Sequence, residues 1–96
     1  MPIISIFFGI IVRVFHDDHP PPDFHVEYGE HTAVVDLSTG RILAGKLPPR
    51  VVRLVEEWRQ PNGARLRRCW TDAQSGKQPA RIPPLKQAGQ TERKSV

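Results

Sequence analysis

Between His16 and Gly29 the chain reads HDDHPPPDFHVEYG. This stretch gathers His16, His19 and His25 with Asp17, Asp18, Asp23 and Glu27 around a triple proline. Two kinds of chemistry follow from those residue types. Imidazole and carboxylate are ligands for zinc, manganese or iron, so His16, Asp18, His19, Asp23 and His25 form the candidate set for a divalent metal. The histidine spacings match no strong metal signature and no CxxC or HExxH is present, so the sequence requires no cofactor. The second chemistry is general acid–base catalysis, for example RNA cleavage. His25 and Glu27 share one face of a strand, with Cβ atoms about 6–7 Å apart, and His19 is placed to swing over them. An imidazole oriented by a carboxylate is an acid–base unit near neutral pH, and Arg13 on a neighbouring strand is positioned to steady a developing phosphate charge. A purely structural reading competes with both. In it Asp17 and Asp18 make turn hydrogen bonds to nearby N–H groups, the prolines stiffen the approach to the strand, Phe24 anchors the core, and His16 donates to a backbone carbonyl.

The elements that must hold these residues are legible from periodicity. Ile10 to Phe15 alternates faces and is rich in β-branched residues, the pattern of a strand. Pro20-Pro21-Pro22 cannot donate to a sheet. Phe24, Val26 and Tyr28 then form the apolar side of a second strand. Gly29-Glu30 reads as a hairpin turn, Thr32 to Leu37 as a third strand, Ser38-Thr39-Gly40 as a second tight turn, and Arg41 to Ala44 as a short fourth strand. Sequential strands joined by short turns make an antiparallel meander. After Gly45 the period changes. Pro48 or Pro49 suits a helix first turn, and Val51, Leu54, Val55 and Trp58 fall on one helical face. Pro61-Asn62-Gly63 breaks that helix, with Asn62 as N-cap of the next. Leu66, Cys69, Trp70 and Ala73 repeat the stripe. The expectation is an α+β fold: an antiparallel meander of three or four strands, followed by two short amphipathic helices that lay Trp58 and Trp70 on one sheet face. Residues 1–85 are expected to form a single domain, with Ile82 and Leu85 docking, and 86–96 a disordered basic tail.

Composition narrows the function classes. Ninety-six residues fit one domain with a small core. The apolar run from Ile3 to Val12 is too short to span a bilayer and lacks the flanks of a signal peptide, so it is expected to be a buried strand, with no membrane partner. The lone cysteine, Cys69, cannot form an internal disulfide, which favours a reducing, cytoplasmic setting. Its place on an apolar helix stripe makes it a buried hydrophobe rather than a nucleophile. The net charge of +4 hides a division. Residues 1–46 carry a net −3 and residues 47–96 a net +7. The basic half suits nucleic acid or an acidic protein partner, or it is a solvated face. Arg50, Arg53, Arg65, Arg67 and Arg68 are the candidate contacts, and Arg65 and Arg68 share a helix face. Arginine favours bidentate contacts to phosphate or carboxylate. Helices committed to packing on a sheet do not suit a helix-turn-helix, and aromatic interleaving for base stacking is absent. Phosphate-backbone contact fits better than sequence readout. A free strand edge also permits a homodimer.

Taken together, PIISIFFGIIVRVF at 2–15, DDHPPPDFHVEYG at 17–29, STGRILAGKLP at 38–48, LVEEW at 54–58, Trp70, Gly76 and IPPL at 82–85 resemble a family of small bacterial proteins, domain-of-unknown-function family 4160. The resemblance is collinear over residues 1–85. It departs from the family pattern at Asp23 and Asn62, where the family usually has histidine, so two imidazoles of that pattern are missing from this chain. The family's function is unsettled. Its members look like components of toxin–antitoxin-type gene pairs, and some are described as transcriptional regulators. The resemblance therefore implies a protein that acts through a small partner encoded by a neighbouring gene. A nuclease-like toxin using His25, His19 and Glu27, and a nucleic-acid-binding regulator working through the basic half, are the alternatives.

Overall fold

The computed structural model describes residues 2–15 and 20–87. Five strands, β1 (Ile3–Phe7), β2 (Ile10–Arg13), β3 (Asp23–Tyr28), β4 (His31–Asp36) and β5 (Ile42–Gly45), form one antiparallel sheet in sequential order. Two helices follow, α1 (Pro49–Arg59) and α2 (Gly63–Gln74), joined by a 3₁₀ turn at Gln60–Asn62. The α+β class and its order are those expected from the sequence. The meander has one strand more than the three or four expected. The apolar run from Ile3 to Val12 folds back on itself at Phe8-Gly9, both at positive φ (51° and 77°), so it supplies two strands rather than one. The run is interrupted only by Ser5 and Gly9, and a single glycine within an apolar strand does not by itself mark a turn.

Alternation builds the core. Ile10, Val12 and Val14, then Phe24 and Val26, then Ala33, Val35 and Leu37 are buried on the helix side of the sheet. Val51, Leu54, Val55 and Trp58 of α1 and Leu66, Cys69 and Ala73 of α2 meet them. Trp58 is at the centre, 5.3 Å from the Phe7 ring and 5.9 Å from that of Phe24 between centroids. Trp70 is only partly buried and packs at the margin.

The helix joint keeps helical dihedrals through Arg59 and Gln60. Asn62 stands at the N-cap position of α2, as expected, but its side chain caps no N–H. Its Nδ2 instead donates to the Trp58 carbonyl at 2.7 Å, and its Oδ1 accepts from Arg65 at 2.8 Å. Buried at 8% exposure, the asparagine satisfies the carbonyl that the interrupted helix leaves open.

Beyond α2 an extended segment turns back under the core. Ile82 N–H donates to the Ile4 carbonyl at 2.7 Å, and Ser5 Oγ donates to the Ile82 carbonyl at 3.0 Å. Trp58 Nε1 donates to the Pro83 carbonyl at 3.0 Å, and Ile82 and Leu85 are buried. The segment thus covers the β1 end of the sheet. The tail expected at 86–96 lies outside the described residues apart from Lys86 and Gln87.

Candidate functional site

Because Phe24 and Val26 point at the helices, Asp23, His25 and Glu27 must point the other way, onto the open face of the sheet. The register brings Arg13 of β2 and Val34 of β4 beside His25, and Ile11 and Thr32 beside Glu27. His25 therefore has a carboxylate two residues away on either side. Arg13, across from His25 on β2, takes one of them. Arg13 Nε binds Glu27 Oε2 at 2.8 Å, with the two side chains 25% and 35% exposed. His25 leans the other way: its Nε2 is 3.5 Å from Asp23 Oδ1, and its ring lies 4.0 Å from that of Phe15 between centroids, 31° from parallel. The sequence placed His25 and Glu27 on one face, and the strand, which begins one residue earlier than expected, adds Asp23 to it. The sequence could not show that Asp23, rather than Glu27, is the carboxylate beside the imidazole.

A shallow depression of about 230 Å³ opens beside this group, with Phe15, His25, Glu27, Thr32, Val34 and Ala44 among its lining residues. His25 at its rim, with the Asp23 carboxylate 3.5 Å away, and Arg13 held by Glu27 are groups of the kind that move a proton and face an anion. The remaining turn candidates, His16, Asp17, Asp18 and His19, lie outside the described residues. Among the described residues no group of three His, Cys, Asp or Glu side chains is placed to hold a metal ion. Asp23 and His25 alone supply two ligands, and a metal centre needs others from that turn.

The arginines divide by role. Arg50, Arg53, Arg65, Arg67 and Arg68 are exposed on the helices. Arg59 is structural: its Nε and Nη2 grip Glu56 at 2.9 and 2.6 Å, and its Nη1 donates to the carbonyls of Leu37 and Ser38. This ties α1 to the β4–β5 turn. The paired guanidinium holds the Glu56 carboxyl below its usual range, and the Glu56 carboxylate raises the Arg59 pKa in turn. Cys69 is 2% exposed, donates from Sγ to the Ala80 carbonyl at 3.3 Å, and has its pKa raised by burial and then by Asp72, which suits a packed thiol rather than a nucleophile.

A second feature belongs to the sheet margin. All four residues of β5 are exposed, with Ile42 at 38% and Leu43 at 48%, and no strand among the described residues pairs with its outer side. Arg41 and Lys46 flank it.

Among the described residues no helix is long and apolar enough to cross a membrane. A family model described as "Domain of unknown function (DUF4160)" matches residues 9–71, more than half of the chain. No curated protein and no solved structure matches it.

Proposed function

The chain belongs to the DUF4160 family, and we propose that it works as a partner-binding module: one half of a bacterial, cytoplasmic two-protein pair of the toxin–antitoxin or operon-regulating kind. One observation carries the reading. Of the two edges of the sheet, β1 is bonded to the chain's own C-terminal segment through Ile4 and Ser5, whereas β5 is apolar and uncharged along its length and is left unpaired on its outer side by the described residues. Natural sheets blunt free edges with short strands, bulges, charge, proline or a covering segment, and of these β5 has the short length and a register shift against β4 but neither charge nor proline. An edge that carries Ile-Leu-Ala-Gly, kept short at four residues, accepts one strand from a partner by main-chain pairing. The basic flanks Arg41 and Lys46 favour a partner strand with acidic ends.

The test is co-purification of the protein with the product of the neighbouring reading frame, followed by titration calorimetry. Ile42→Lys with Leu43→Lys puts two charges on the edge and weakens the complex by about tenfold or more, while His25→Gln leaves it unchanged. A doubly substituted protein that binds like wild type rules the edge out.

The Asp23–His25 pair beside the open depression supports a second reading, a nuclease-like toxin acting by general acid–base transfer. There His25→Gln abolishes growth arrest and RNA cleavage in a still-folded protein. Retained cleavage removes the reading.

A further inference from the structure

The C-terminal segment does more than cover β1. Together with α2 it walls a groove of about 460 Å³. Arg65 and Arg68 rise from the helix, Arg81 faces them from the opposite wall, and Asp72 is the one carboxylate in the lining. The exposed Ala64 and Ala80 contribute small apolar surface, and the buried Cys69 and Ile82 lie beneath it. Two of these groups are set in place by bonds already described. Arg65 is held by the buried Asn62, whose amide is itself tied to Trp58. The Arg81 wall is fixed on both sides, through Ala80 to Cys69 and through Ile82 to Ile4 and Ser5. Arg68 and Arg81 form no ion pair among the described residues. The groove is a preorganised, net-positive channel, and the bound side chain gives up little further freedom at Arg65. Its Arg81 wall lies beyond the stretch that matches the family.

We propose that this groove docks an extended acidic peptide segment of a partner protein. Carboxylates would be taken by Arg65, Arg68 and Arg81, with small apolar side chains between them lying on the exposed Ala64 and Ala80. Guanidinium groups at i and i+3 on one helix, about 5–6 Å apart at Cβ, suit separate or shared carboxylates. Asp72 argues against a continuous polyanion such as nucleic acid, because it repels part of an unbroken phosphate backbone. The lining also holds no aromatic ring for base stacking. The groove adjoins Ile82, which is bonded to β1, so it is at the opposite end of the sheet from β5 and is independent of the edge proposed above.

The experiment is fluorescence anisotropy on the full chain with a labelled peptide that alternates glutamate with alanine and valine. The comparison probes are the same peptide with lysine for glutamate, and a single-stranded RNA of equal length. Arg68→Glu with Arg81→Glu, both at exposed positions, should weaken peptide binding by about tenfold or more. Arg50→Glu with Arg53→Glu on α1 makes the same change in net charge outside the groove and should alter it by less than about twofold. The milder Arg68→Ala with Arg81→Ala keeps the test alive if charge reversal disturbs folding, and it should weaken binding in the same direction. Equal losses in the groove and α1 variants would mean unspecific attraction and would overturn the proposal. So would equal binding of the lysine peptide, tighter binding of the RNA with the same groove dependence, or a second copy of the chain occupying the groove at the working concentration, seen by sedimentation.

Discussion

Substitution of Ile82 by alanine tests whether the C-terminal segment belongs to the folding unit. Ile82 is 3% exposed within the same core cluster as Ile4, Trp58 and Cys69. Its two main-chain bonds, N–H to Ile4 and carbonyl to Ser5 Oγ, survive the change. What is lost is the side chain. A buried isoleucine cut to alanine loses its transfer free energy and leaves a cavity, together about 2–5 kcal/mol. The segment is held only on its core side, so it can settle partly into the gap, and about 2–3 kcal/mol is the expected loss. In a domain of this size that lowers Tm by roughly 10–20 °C. Urea unfolding followed by tryptophan fluorescence is the assay, with Trp58 as reporter because its indole donates to Pro83 in the same segment. Ser5→Ala, in a residue 1% exposed, deletes the donor to the Ile82 carbonyl and costs about 1–2 kcal/mol. The two contacts share one segment, so the double variant should fall short of the sum. Leu43→Ala at the exposed edge is the control and stays within about 0.5 kcal/mol of wild type. A loss below about 1 kcal/mol for Ile82→Ala, or truncation after Lys77 with an unchanged midpoint, would refute the argument that the segment completes the core.

Further outcomes follow from single contacts. Arg59→Lys keeps the charge but loses the two-pronged grip on Glu56 and the bonds to the Leu37 and Ser38 carbonyls, and costs about 1–2 kcal/mol in urea unfolding. Glu56 titrates below its ordinary value of 4.5, first because of the Arg59 hydrogen bonds, so its contribution is present above that pH and lost as pH falls through the lowered folded value. The stability difference between wild type and Glu56→Gln should therefore be full at pH 7 and shrink in acid; a pH-independent difference contradicts the assignment. Gly45→Ala at φ +83° drives a Cβ into the Thr32 carbonyl and loosens β5, costing about 1–3 kcal/mol by thermal unfolding. The Arg13–Glu27 pair is part-exposed, and a double-mutant cycle should give a coupling of only about 0.2–1 kcal/mol. Cys69 should react with a thiol reagent at least about tenfold more slowly in the folded protein than in urea.

Much of this architecture could be read along the chain because its signals are local. The i, i+3, i+4, i+7 stripes of Val51–Trp58 and Leu66–Ala73 specify two helices whatever they pack on. Gly29-Glu30 and Ser38-Thr39-Gly40 mark the turns through backbone preferences that need no partner. In the second of these, Asp36 Oδ1 accepts from the Ser38 and Thr39 N–H groups at 2.8 and 2.9 Å, a bond within one turn. Strand alternation likewise put His25 and Glu27 together on one face, since a period of two is a property of the strand alone. The features that were not legible are relations between distant segments. The hairpin at Phe8-Gly9 lies inside a run whose every side chain could be buried. The choice of Asp23 over Glu27 as neighbour of His25 depends on which register sets Arg13 across the strand. Arg81 carries no periodic signal, and only the return of its segment to β1 sets it opposite Arg65 and Arg68. The sequence by itself determined the elements and the faces of their side chains, because those follow from propensities and periods acting within a few residues. Only the tertiary structure decided which edge of the sheet is covered, which carboxylate meets the imidazole and which arginines share a groove, because these depend on long-range packing that no local pattern encodes.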